Sequence, residues 1–196
     1  MILRVGITGG MGSGKTTVSK IFEVLGIPVY YADIAAKRLM NEDEKLKSAL
    51  KKTFGEDTFI NGTLNRKYLS SIVFNDAEKL SILNSMVHPA TLRDTEQWML
   101  QQTSTYAIKE AALIFESGAQ QQLDYVIGVH APESLRIQRA MKRDHISQEE
   151  VTLRMEKQID EDIKMRLCDY IIVNDEQQLV IPQVLKLHEI FISMKP

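Results

Sequence analysis

One cysteine, five prolines, one tryptophan and no long apolar run set the first limits on this 196-residue chain. With Cys168 alone, no internal disulfide and no multi-cysteine zinc site can form, and the four histidines add no metal-ligand spacing. No apolar stretch reaches the roughly 20 residues of a membrane-spanning helix. Met1-Ile2-Leu3-Arg4 lacks the basic start and long apolar core of a signal peptide. No membrane role is expected, and the default location is the cytoplasm. Charge of one sign is missing too: 24 Lys plus Arg face 26 Asp plus Glu, a net charge of −2. That balance excludes a strongly basic nucleic-acid coat and a polyacidic tail, so no nucleic-acid partner is expected, while a local basic cleft stays open. What is present suffices for a core: 44% of residues are hydrophobic, in a chain the size of one domain with a large insertion.

Glycine is scarce but uneven, with five of the ten between Gly6 and Gly14. The apolar run Ile2 to Ile7 predicts a buried strand that stops at these glycines. Val18, Ile21, Phe22 and Leu25 then recur at helical spacing, and Pro28 to Tyr31 reads as a second strand, together a parallel βαβ unit. The segments 35–40, 43–54, 66–74, 77–87 and 89–102 each read as helices. Residues 55–62 read as a break. Strands return at 105–115, 125–129 and 169–173, with helices at 132–143, 147–158 and 177–194. The expected class is α/β, with a core of about 1–40 and 105–196 and a helical insertion of about 41–104.

Gly9-Gly10-Met11-Gly12-Ser13-Gly14-Lys15-Thr16 matches G-x-x-x-x-G-K-[ST] at every position, after a strand and opening a helix. Glycines let successive N–H groups turn inward as a nest for phosphate oxygens, and the helix start adds partial positive charge. Gly10, Met11, Gly12, Ser13, Gly14, Lys15, Thr16 and Thr17 are therefore the expected nucleotide-binding residues. Lys15 reaches the β- and γ-phosphates of ATP, and the Thr16 hydroxyl suits Mg²⁺.

No N-K-x-D guanine element and no L-S-G-G-Q signature occur, which leaves a small-molecule kinase as the better candidate. Asp33, just past the second strand, could activate an acceptor hydroxyl or help hold the metal; equally, it could cap the helix starting near Ile34. Arg136, Arg139 and Arg143 share a helical face and could stabilise a transferring phosphoryl group, or form a solvated face paired with Glu149 or Glu150.

The ordered set Gly6 to Thr16, Tyr31-Ala32-Asp33, Gly55, Asn65-Arg66, Ile72-Val73-Phe74, His88-Pro89, Leu113 to Glu116, Gln138-Arg139, Lys142-Arg143-Asp144, Arg154, Gln158 and Asp169 to Asn174 resembles the dephospho-CoA kinase family. The resemblance implies a P-loop kinase fold, a five-stranded parallel sheet flanked by helices with a helical acceptor-binding insertion. It also implies ATP-dependent phosphorylation of the ribose 3′-hydroxyl of dephospho-CoA. By that resemblance Asp33 is the general base, and Arg139 and Arg143 belong to a lid of about 136–160 that closes over ATP. Lys15 and Arg139 join Asp33 as the catalytic set. His88 and Glu116 fall near the acceptor, with Arg93 one residue past the position, here Leu92, where the family carries an arginine. Ala112 stands where the family often has proline.

Overall fold

The computed structural model describes residues 2–73 and 76–194, in two compact units: 1–31 with 98–196, and 32–97.

In the first unit, five strands form one parallel sheet in the order β2-β5-β1-β6-β7. They are β1 (Leu3–Thr8), β2 (Val29–Tyr31), β5 (Tyr106–Glu110), β6 (Tyr125–His130) and β7 (Tyr170–Val173). β1 lies centrally, Val5 opposite both Ile108 and Tyr125, which puts the loop after it at the middle of the sheet's carboxyl edge. One face carries Leu3, Val5, Ile7, Tyr106, Ile108, Ile127, Val129 and Ile172 against Val18 and Phe22 of α1 (Lys15–Val24) and Val184, Leu187 and Phe191 of α9 (Val180–Ser193). Near-continuous β-branched runs suit strands covered on both sides. The other face is bared at Gly6, where a Cβ would come within 2.7 Å of Leu123 and 2.8 Å of Ile114, so the segment after β5 lies directly on the sheet.

That segment departs from the expected strand 105–115. β5 ends at Glu110, Ala111 N–H donates to Ile7 O as the last sheet bond, and residues 112–118 form turns. Ala119 N–H closes onto Ile114 O and the Ser117 hydroxyl onto Leu113 O, so the apolar run turns back to bury Ile114. Its hydrophobicity reports burial rather than extension. Beyond β6 come α6 (Glu133–Asp144), α7 (Gln148–Met155) and α8 (Glu161–Arg166). Ser147 and Glu150 close a capping box on α7. The short α8 was not expected; Asp160 caps it by accepting from the Asp162 and Ile163 N–H groups.

The second unit holds α2 (Ala32–Glu42), α3 (Glu44–Phe54), the hairpin β3 (Phe59–Ile60) and β4 (Thr63–Leu64), α4 (Arg66–Val73) and most of α5 (Ala77–Leu100). Its core gathers Leu39, Leu46, Leu50, Phe54, Phe59, Leu64 and Leu69. The hairpin, read from sequence as a break, is turned by Asn61 and Gly62 at positive φ. The two helices expected at 77–87 and 89–102 are one, running through Pro89 and ending at Leu100. Proline removes one N–H and disfavours a helix interior, yet Val87 and Ala90 on either side are buried, and packing outweighs that local cost. Phe74, the end of the helix expected at 66–74, and Asn75 after it lie outside the described residues.

Candidate active site

The phosphate loop joins β1 to α1. Gly14 takes a left-handed conformation (φ 97°) as the residue that opens α1, and Gly12 sits at φ 80°. Each also lies against a wall: a Cβ on Gly12 would strike the Arg136 carbonyl, and one on Gly14 the Asn174 carboxamide. Bare backbone is thus required both by the turn and by its surroundings. Ser13 N–H donates to Gly10 O at 3.2 Å, fixing the turn, and the Lys15 ammonium donates to Gly9 O at 2.9 Å and Gly10 O at 3.2 Å. Lys15, Thr16 and Thr17 form the first turn of α1, whose N–H groups have no intrahelical acceptor, and the Thr16 and Thr17 side chains are exposed. The loop, its lysine and the helix start are therefore assembled as an anion cradle.

Three groups brace the cradle, of which spacing singled out Arg136 alone, and that for the transferring phosphoryl group rather than for the loop. Asn174, immediately past β7, donates its carboxamide to Ser13 O at 2.8 Å. Gln158 accepts from Met11 N–H at 3.1 Å. Arg136 packs its guanidinium against Gly10, donates to Ala131 O at 3.1 Å and faces Glu161 at 3.8 Å. Arg136, Gln158 and Glu161 line a cleft of about 450 Å³. The position of Asn174 at a strand's carboxyl end was a usable signal, since ligands of open α/β sheets gather there.

The three arginines of α6 do share a face, but their surroundings grade along the helix. Arg136 is buried. Arg139 is half-buried and donates to Asn174 O and Glu176, each at 3.1 Å. Arg143 is 62% exposed and grips its neighbour Asp144 at 2.7 and 2.8 Å, which holds the Asp144 carboxyl below the usual carboxylate range. Glu149 and Glu150, the pairing partners weighed from sequence, are not their partners; Glu161, Glu176 and Asp144 are. The structure thus brings Arg139 to the loop's flank through Asn174, and leaves Arg143 four residues on, roughly 6 Å further along the helix axis.

Glu116 accepts from the Ile159 N–H at 3.0 Å and from the fully buried Lys164 ammonium at 3.0 Å. Asp33, His88 and Arg93 belong to the second unit. Asp33 is the second residue of α2, inside the helix rather than capping it, and is exposed with no hydrogen bond or ion pair among the described residues. His88 and Arg93 both lie on α5, but five residues apart, roughly 140° around the axis, so they occupy different faces; Leu92 is the position that shares the face of His88.

Comparison with known proteins bears on the family and the fold. A family model described as dephospho-CoA kinase matches residues 3–179. A dephospho-CoA kinase of Bacteroides fragilis is 35% identical over 188 residues, covering 95% of this chain and 92% of that protein. A solved structure from Thermus thermophilus superposes with a TM-score of 0.86 at 30% identity, covering 98% of this chain and 99% of that one. A dephospho-CoA kinase structure from Campylobacter jejuni gives 0.72 at 28%, covering 96% of each.

Proposed function

The chain belongs to the dephospho-CoA kinase family, and from that premise we propose how its residues share the work. The reaction moves the γ-phosphoryl group of ATP onto the 3′-hydroxyl of the ribose of dephospho-CoA, giving CoA and ADP, the last step of coenzyme A synthesis. The observation that carries the reading onto this chain is the assembled cradle: Gly14 in the left-handed region, the open first turn of α1 and Lys15 folded over the loop.

In the proposed mechanism, the amides of Gly12 to Thr17 and the Lys15 ammonium hold the β- and γ-phosphates. Asp33 orients the acceptor hydroxyl and takes its proton, a role that suits an exposed carboxylate carrying no protein partner. Arg139, already at the loop's flank, stabilises charge as it spreads over the transferring oxygens. Arg143, at the far end of α6, joins it when the lid, about 136–160, closes and keeps water from competing as acceptor. The second unit, 32–97, receives dephospho-CoA, with His88 and Arg93 as the candidate contacts on α5. Glu116 was the fourth expected acceptor contact; its carboxylate is engaged by Lys164 and Ile159.

Mg²⁺ fits this donor set. No cluster of three His, Cys, Asp or Glu side chains suited to a metal occurs among the described residues, and Thr16 offers an exposed hydroxyl at the cradle. Such a site relies on nucleotide oxygens and water, the coordination magnesium prefers. Bound there, Mg²⁺ would offset phosphate charge. Among the described residues no helix is long and apolar enough to cross a membrane. The cytoplasm is the proposed location, where the single half-buried thiol of Cys168, pushed up to about 12 mainly by burial, stays reduced and unreactive.

The deciding experiment is mass-spectrometric detection of CoA from ATP, Mg²⁺ and dephospho-CoA. No product, with turnover of a nucleoside monophosphate or another small metabolite instead, would refute the acceptor. Nucleotide binding with no product from any acceptor would indicate a regulatory protein.

A further inference from the structure

Seven residues of the chain, 158–164, reach the phosphate loop on one side and a buried ion pair on the other. Gln158 accepts from Met11 N–H at 3.1 Å, and Glu161 lies against Gly10 beside Arg136. From behind, the Lys164 ammonium, with no exposure at all, donates to Glu116 and to Ala112 O, both at 3.0 Å. Glu116 also accepts from the N–H of Ile159, the residue next to Gln158, at 3.0 Å. The Ala112 carbonyl is shared with the hydroxyl of Thr8, at the foot of the loop, at 3.3 Å. One carboxylate and one ammonium therefore tie the turn after β5, the start of α8 and the end of β1 together.

We propose that Glu116 and Lys164 are positioning residues for nucleotide binding, acting through Gln158 and Glu161 on the Met11 and Gly10 stretch of the loop. The inference rests on the kinase reading above and assigns Glu116 to the ATP side of the reaction. A buried charge pair has the properties the task needs. Each partner is costly to leave alone, so the pair enforces one arrangement of the elements it joins. Because Glu116 holds a backbone N–H of 159, it sets the direction from which the Gln158 side chain leaves the chain. Gln158 in turn occupies the amide of Met11, three residues after the end of β1, where a small rotation would misdirect the amides that follow.

The test separates affinity for ATP from affinity for the acceptor. Glu116→Gln keeps the side chain's size and one accepting oxygen but loses the charge opposite Lys164. We expect about tenfold weaker binding of a non-hydrolysable ATP analogue by calorimetry, with KM for dephospho-CoA within about twofold of wild type. Gln158→Ala, at a half-exposed side chain that leaves the buried pair intact, should weaken the same binding. The double variant should bind no worse than Glu116→Gln alone, because both act through one connection. A raised KM for dephospho-CoA with unchanged ATP binding would overturn the proposal and return Glu116 to the acceptor. Additive losses in the double variant would also overturn it. Should Glu116→Gln fail to fold, unchanged ATP binding in Gln158→Ala refutes the connection. If wild type makes no CoA while the calorimetric pattern still holds, the acceptor assignment falls and the positioning role stands.

Discussion

Lys109 gives the sharpest quantitative prediction. It is the fourth residue of β5, between Gly6 of β1 and Tyr30 of β2 in register, and only 2% exposed. No hydrogen bond or ion pair to its ammonium occurs among the described residues, and burial alone pulls that group from the ordinary 10.5 down to about 8. Below pH 8 the group is charged in both folded and unfolded chains, and the fold carries the whole cost of desolvating it. Between pH 8 and 10.5 the unfolded chain holds a proton that the folded one has lost, so this group's penalty fades as pH rises. The gap is worth about 3 kcal/mol. Lys109→Met, of similar length and without charge, should stabilise the protein by up to about 3 kcal/mol at pH 7, and the gain should vanish near pH 10.5. Urea unfolding of both proteins at half-unit steps from pH 7 to 10.5 measures it, and taking the difference cancels every other titrating group. A gain that is flat across that range, or a Met variant less stable at pH 7, would refute the reasoning by showing that the ammonium has a partner.

Three further outcomes follow from the site. Asp33→Asn should lower kcat by at least about a hundredfold while ATP affinity by calorimetry stays within twofold, since general-base catalysis contributes on that order; near-normal turnover would remove the base assignment. Lys15→Ala should damage both, with ATP binding and kcat each falling, because its ammonium is the loop's only side-chain charge. Asn174→Ala removes the donor to Ser13 O and opens the wall beside Gly14, so ATP binding should weaken about tenfold with KM for dephospho-CoA unmoved.

The parallel sheet was legible because its strands are short apolar runs punctuated by glycine, proline or charge, and four of five fall within a residue or two of their expected bounds. The run at 111–115 misled because a strand covered on both faces and a turn buried on a sheet present the same composition. Ile114 is as hidden as Ile108, and only the Gly6 opposite it, bare enough to receive a folded-back chain, distinguishes the two. The unbroken α5 misled for the converse reason. Pro89 speaks for a local backbone preference, while Val87 and Ala90 speak for a core that the preference does not see.

The site divides along a different line. The cradle could be read in full because it uses consecutive residues: a phosphate is held by successive amides, so the chemistry itself forces the residues into one string. Its supports are of the other kind. Asn174 lies 161 residues from Ser13, and Gln158 lies 147 from Met11, so no spacing in the chain connects either pair. Both belong to the ordered set that carries the family resemblance, but their only physical mark in the sequence is that Asn174 follows a strand's end and Gln158 a helix's. Glu116 shows the limit of reading by position. The family resemblance implies a place near the acceptor, and the structure adds a fully buried lysine, 48 residues later, whose ammonium donates to its carboxylate. A charge buried that completely must be paired by the fold, so Lys164 constrains Glu116 more strongly than the turn that presents it. Residues that hold a loop in place should therefore be sought among buried ionic groups as well as among residues that line the pocket.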